Sequence, residues 1–310
     1  MAEIISVVEE AFRQHGLKAV EMPPRAGLYP RPESFIHALL AHVPNMGAAG
    51  AKLVSVFPEN LERGLYQTTG LLILSDPETG LPLAAMDATW ITAMRTGAAT
   101  AVAAKYLARA DAQRVAIIGA GAQGRGNLLA LVEVLPLLKS VCVHDVRPEL
   151  ARRYADEMTA ATGREIKAVA TAREAVEGAD VVVTATALFK ELTILVRREW
   201  IQQGTFVAPL EVDRAIDPVL LFGADLFVVD DWEQTKGFQV MGCFPQGFPP
   251  FWVELGEIVA GLKPGRTRQD QVVVAMNVGI AIEDVTVGRR VYERAVSRGI
   301  GRYLPLYEEH

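Results

Sequence analysis

Cysteine is nearly absent: Cys142 and Cys243 are the only two in 310 residues. That excludes a disulfide scaffold. One cysteine falls in a strand pattern and the other in a loop, as expected for reduced thiols of a cytoplasmic protein. The five histidines (His15, His37, His42, His144 and His310) lack metal-ligand spacing, so no metal is expected. No apolar run reaches the roughly 18 residues that cross a bilayer, so no membrane association is expected. The opening MAEIISVVEEAFRQHG carries acids where a signal peptide has a basic stretch. A basic block is missing too. With net charge −6 and a pI near 5.5, nucleic acid is not an expected partner. What remains is globular: half the residues are apolar and 22% are charged, enough chain for one large domain or two ordinary ones.

The most informative stretch is VAIIGAGAQGRGNLLAL, residues 115–131. Four apolar residues run into Gly119, Gly121 and Gly124 and then into a helical pattern. Gly119 permits a tight turn, Gly121 admits a pyrophosphate to the backbone, and Gly124 brings helix and strand together. Free N–H groups at the helix start then hold the anion. Twenty-one residues past Gly124, the strand pattern SVCVHD ends in Asp145. An acid there binds the ribose hydroxyls of NAD and repels a 2′-phosphate.

Around this unit, buried strands alternate with helices (VAIIG, SVCVHD, EIKAVA, ADVVVTAT, then GTFVAPL and DLFVVDD). That order predicts an α/β fold, a Rossmann-type doubly wound parallel sheet. Before it lie a helix over 3–15, an irregular Pro-rich stretch EMPPRAGLYPRPES, strands near 35–43 and 51–57, and a hairpin around DPETG. An Ala-rich helix over 91–108 closes this region. We therefore expect a second, α+β unit over 1–112, completed by about 290–310, and an NAD-binding unit over 113–289. The segment KGFQVMGCFPQGFPPFW reads either as a lid or as a surface connection. A helix over 254–262 and a last long helix over about 270–297 are expected after it.

Three cations of the first region stand out. Arg25 sits in irregular chain, Lys52 opens an otherwise apolar strand, and Arg95 interrupts the Ala-rich helix. An arginine can clasp a carboxylate with two parallel bonds, and a desolvated lysine can act as a base. Spacing alone does not bring the three together; surface cations or structural ion pairs remain the alternative.

Seven stretches resemble the ornithine cyclodeaminase/μ-crystallin family: MPPR, GAKLVSVFPEN, LLILSDPETGLPLAAMDA, ITAMRTGAATAVAAKYLA, GAGAQG, ELGEIVAGLKPGR and GIAIEDVTVGRRVYERA. They span almost the whole chain. The resemblance implies that Arg25, Lys52 and Arg95 surround a substrate carboxylate. It implies a homodimer built through the non-nucleotide unit and nucleotide contacts at Arg95, Thr96, Gly119, Gly121, Ala122, Gln123, Gly124, Asp145, Arg147, Thr186 and Asn277. Asp145 followed by Val-Arg is similar to the NAD-using branch, with its alanine dehydrogenase and ketimine reductase members. Two departures follow. By the same resemblance the chain starts at the family's first helix, which is expected to alter the dimer edge. The aspartate of the cyclodeaminases aligns near Pro209, leaving Glu211 or Asp213 as replacement catalytic carboxylates, although Asp213 beside Arg214 is equally an ordinary surface pair. Asn277 stands where the family usually has serine.

The expected activity is hydride transfer between NAD(H) and the α-carbon of a small α-amino or α-imino acid. Redox-neutral ornithine cyclisation and a non-catalytic, μ-crystallin-like ligand binder are the alternatives. Tyr66, Trp90 and the 238–252 loop are candidates for reading the substrate side chain.

Overall fold

The computed structural model describes residues 1–186 and 193–305, with the backbone alone at residue 61. The last five residues of the C-terminal segment therefore lie outside the described residues.

Five antiparallel strands form the first sheet in chain order: β1 (Ala26–Arg31), β2 (Ser34–Val43), β3 (Ala48–Val56), β4 (Thr68–Ser75) and β5 (Pro82–Asp87). Alternation along β2 and β4 buries Phe35, Leu39, Leu72 and Leu74 and leaves Leu40, Leu71 and Ile73 outside, the period-2 pattern of a sheet covered on one face. The covering helices are α2 (Thr89–Leu107) and the last long helix, Ala281–Ser297, and α1 (Ala2–Gly16) packs on both of them. Asp76 makes the β4–β5 turn by accepting the N–H groups of Glu78 and Thr79 at 2.8 and 3.2 Å.

The second sheet is parallel throughout: β6 (Arg114–Ile118), β7 (Ser140–His144), β8 (Glu165–Ala168), β9 (Val181–Thr184), β10 (Phe206–Pro209), β11 (Leu226–Val229), β12 (Val253–Glu254) and β13 (Val273–Met276). Its order is β12-β11-β13-β10-β9-β6-β7-β8. The chain leaves β6 towards β7 on one side and returns to β9 on the other. A crevice opens where the order reverses, beyond the carboxyl ends of the strands. Both faces are covered, hence the unbroken apolar runs, fully buried in β9, β10 and β13. The helix α3 (Ala122–Val134) follows the glycine turn, and α4 (Pro148–Thr162) connects β7 to β8.

Three expectations are corrected. The Pro-rich stretch is irregular only in part: residues 22–25, with Arg25, have no regular structure, but residues 26–31 form the edge strand β1, where Pro30 costs no interior ladder bond. The helix expected over 270–297 splits, because the valine run 272–274 enters the parallel sheet as β13 and Gly279, at φ +80°, turns the chain before the helix starts at Ala281. A continuous apolar run carries no period to separate buried strand from buried helix. Only Leu255–Val259 is α-helical within 254–262. The last helix lies against β2, β3 and β4 of the first sheet.

Candidate active site

Between the two sheets lies a cleft of about 180 Å³ whose walls include Arg25, Lys52, Arg95, Gln123, Glu211 and Asn277. Lys52 is on the inner face of β3, 1% exposed. Its Nζ donates to Asp284 Oδ1 at 2.5 Å and to Thr92 Oγ1 at 3.4 Å. Arg95, on α2, donates from Nη1 to Glu283 Oε2 at 2.8 Å. Its Nε lies 2.9 Å from Asp284 Oδ1, though without hydrogen-bond alignment. Glu283 and Asp284 occupy the first turn of the last helix, where the positive end of the helix dipole favours them. Sequence reasoning missed both, although two adjacent acids inside the apolar run GIAIEDVTV are a visible anomaly.

Arg25 closes the cleft from the start of β1. Its Nε donates to Gln234 Oε1 and its Nη2 to the Gly279 carbonyl, each at 2.9 Å, and its guanidinium lies 4.8 Å over the Phe238 ring. Among the described residues it makes no ion pair. Asp230, another residue missed from sequence, braces this corner by accepting the Gly279 N–H at 2.6 Å. Burial, reinforced by the nearby Glu283, pushes the Asp230 carboxyl well above the usual range. Three cations thus face Glu283, Asp284 and an acid that burial favours as neutral, which leaves the cleft receptive to an anion.

Burial and the neighbouring charge of Arg95 lower the Lys52 ammonium to about 8, against the pull of Asp284. A lysine there can exchange its proton near neutral pH. For Arg95, burial opposes the charge, but Asp284 and Glu283 outweigh it and hold the guanidinium protonated.

The two alternative carboxylates separate. Glu211 lines the cleft, but Thr184 and Thr186 clasp it: both hydroxyls and the Thr186 N–H donate to its oxygens. Burial raises its pKa against those bonds. Asp213 is not among the residues lining the cleft. It accepts the Phe244 N–H at 2.7 Å, facing another loop. Val212 lies between them at φ +61°, an unusual conformation for a β-branched residue. That turn sends the two acids to different places.

The nucleotide side collects most of the remaining candidates. Gly119 has φ +111°, and a Cβ there would strike the Ala185 carbonyl. A Cβ on Gly124 would strike Gly119, whereas one on Gly121 would meet open space at the start of α3. Asp145 directly follows β7 and accepts the Ala120 and Arg147 N–H groups at 2.9 and 3.0 Å, while the Arg147 side chain is exposed. Gln123 Oε1 and both amide atoms of Asn277 are buried without a hydrogen-bond partner. Thr96 and Thr186 also line the cleft, and Ala122 is the first residue of α3. Gly97 and Gly126 allow α2 and α3 to cross in backbone contact, which carries Arg95 and Thr96 up to the glycine turn.

The candidates for reading a side chain fare differently. Tyr66 and Trp90 are 75% and 53% exposed and neither lines the cleft. From the 238–252 loop only Phe238 does. The rest of that loop is pinned elsewhere, with Phe248 against Trp232 and Trp232 stacked on Trp252 at 4.2 Å.

The sequence and the fold have known counterparts. The sequence profile of the ornithine cyclodeaminase/mu-crystallin family matches residues 1–299. This chain belongs to that family. The alanine dehydrogenase of Archaeoglobus fulgidus is 36% identical, over 99% of this chain and 94% of its own. The fold superposes on a Thermococcus litoralis Delta(1)-pyrroline-2-carboxylate reductase in complex with NADH and L-proline, with a TM-score of 0.90 and 35% identity over 98% and 96% of the two chains. An archaeal alanine dehydrogenase dimer with bound NAD gives 0.87 and 34% over 99% and 95%.

Proposed function

We propose that this protein moves a hydride between the nicotinamide of NAD(H) and the α-carbon of a small α-amino or α-imino acid. It is an NAD(H)-dependent oxidoreductase. The observation that carries the reading is the buried Lys52, lowered to about 8, beside two arginines and facing the nucleotide cradle. Arg25 and Arg95 hold the substrate carboxylate. Lys52 takes the ammonium proton, since a hydride can leave the α-carbon only once the amine is neutral; in reverse, its ammonium returns that proton. Bound NAD supplies the hydride acceptor, and NADH the donor. The residues fit that cofactor: Gly121 leaves room for the pyrophosphate, Asp145 follows β7 where such an acid can take a ribose, and Gln123 Oε1 and the Asn277 amide, unpaired among the described residues, can take polar partners.

Redox-neutral cyclisation needs a carboxylate free to take a proton from the amine. Glu211 is held by two threonines and Asp213 faces away, so net redox chemistry is favoured. Following NADH absorbance and free ammonia together, with NAD and a panel of L-amino acids including ornithine, decides between them. Net NADH formed in step with substrate is the expected result; ammonia from ornithine without net NADH would replace it by cyclisation.

The outer face of the first sheet supports a homodimer. Leu53 and Leu71 are opposite one another in register, with Leu40 and Ile73 on flanking strands, all at least 39% exposed. A contiguous apolar face of this kind marks an interface. Changing Leu53 to Glu is expected to convert the dimer to monomer, read as a halved mass by light scattering.

A further inference from the structure

His37 lies in the wall of the cleft, and its side chain makes no hydrogen bond to any described residue. It is 2% exposed, and its Nε2 is buried without a partner. A buried polar atom left unpaired costs stability, so its persistence calls for an explanation. The ring is held in place by stacking on Phe35 (centroids 4.1 Å apart, planes at 23°) and by an edge contact with Tyr29. Register places it relative to the chemistry. Leu39 of β2 is opposite Lys52, and His37 is opposite Val54, one same-face step further from the lysine. That step is about 7 Å, the reach of a substrate side chain whose α-carboxylate end is at the cations. Beyond His37 the wall holds Phe35 and Val56, with Gln67 and Thr68 beside them. Burial, with help from the charge of Arg25, lowers the imidazole to about 4, so it is neutral at physiological pH and offers an N–H donor.

We propose that His37 is the specificity-determining residue of this site and selects substrates whose side chain ends in a hydrogen-bond acceptor, namely four- or five-carbon α-amino or α-imino dicarboxylic acids. The acceptor takes the imidazole N–H. Its negative charge also suits the cation surplus around Arg25. A basic side chain such as that of ornithine would meet the like charge of Arg25. The inference rests on the oxidoreductase reading for its substrate class, but its test can be made without turnover.

Succinate and propionate, a diacid and a monoacid that cannot react, serve as probes and are titrated onto the NADH-loaded protein. Succinate is expected to bind about 10- to 100-fold more tightly, the worth of one hydrogen bond to a charged group. The variant His37→Leu is expected to lose that preference while retaining NADH and propionate affinity. His37→Gln, which keeps an N–H donor, is expected to retain part of it. Equal affinities in the unaltered protein, or a preference that survives in His37→Leu, overturns the inference. Kinetics separate the two readings. Turnover of alanine with no diacid preference defeats the role of His37 alone. A His37-dependent succinate preference with no turnover of aspartate, glutamate or alanine defeats the oxidoreductase reading alone.

Discussion

Changing Lys52 to Met is expected to lower kcat/KM for amino-acid oxidation by about 10²- to 10⁴-fold, the contribution of a positioned proton acceptor. The side chain is fully buried, bonded to Asp284 at 2.5 Å, and its ammonium is lowered to about 8. Only the neutral amine accepts a proton. Oxidation should therefore climb as pH rises towards about 8 and level off above it, whereas reduction, which uses the ammonium as acid, should fall over the same interval. The pH profile of kcat/KM in both directions checks the sign. Lys52→Arg keeps the charge but does not deprotonate in this range. It should preserve much of the substrate affinity and lose kcat along with the pH limb. Unchanged turnover in either variant would remove Lys52 from the chemistry.

The second large effect falls on stability. Arg95→Met leaves Glu283 with no cationic partner and Asp284 with only Lys52, and both acids are fully buried. Breaking a buried pair by removing one member costs about 3–5 kcal/mol, because the remaining charge stays desolvated. Urea denaturation should show a midpoint lowered to match. Adding Glu283→Gln should recover part of the loss, since the glutamine carries no charge to bury. If the double variant were no more stable than Arg95→Met, the pair would not be the source of the destabilisation. Glu283 itself is raised by burial, against the charge of Arg95, so the unpaired acid in Arg95→Met should take up a proton more readily. The penalty should then shrink as pH falls.

The nucleotide unit was readable because its parts are neighbours in sequence. Strand, glycine turn, helix and Asp145 follow one another within residues 114–145, and each leaves a local mark: an apolar run, spaced glycines, an acid at a strand end. The family motifs likewise singled out Arg25, Lys52 and Arg95. The β13 segment failed for the opposite reason, since a run of valines buried on every side has no periodicity to read. Edge strand β1 was hidden by Pro30, whose effect depends on whether a neighbouring strand exists on that side.

Chemistry by type was thus determined by the sequence itself: a dinucleotide cradle, an acid suited to an unphosphorylated ribose, and cations misplaced in apolar segments that had to find partners. Which partners they find was decided by tertiary structure. Lys52 meets Asp284 across 232 residues and Arg95 meets Glu283 across 188, separations over which no local pattern carries information. Folding likewise chose between Glu211 and Asp213, through the backbone of Val212, and set His37 in the cleft wall by strand register. A buried charge or an unpaired imidazole announces in sequence only that something must answer it. What answers it depends on which surfaces the hydrophobic effect brings together, and that force has no direction of its own.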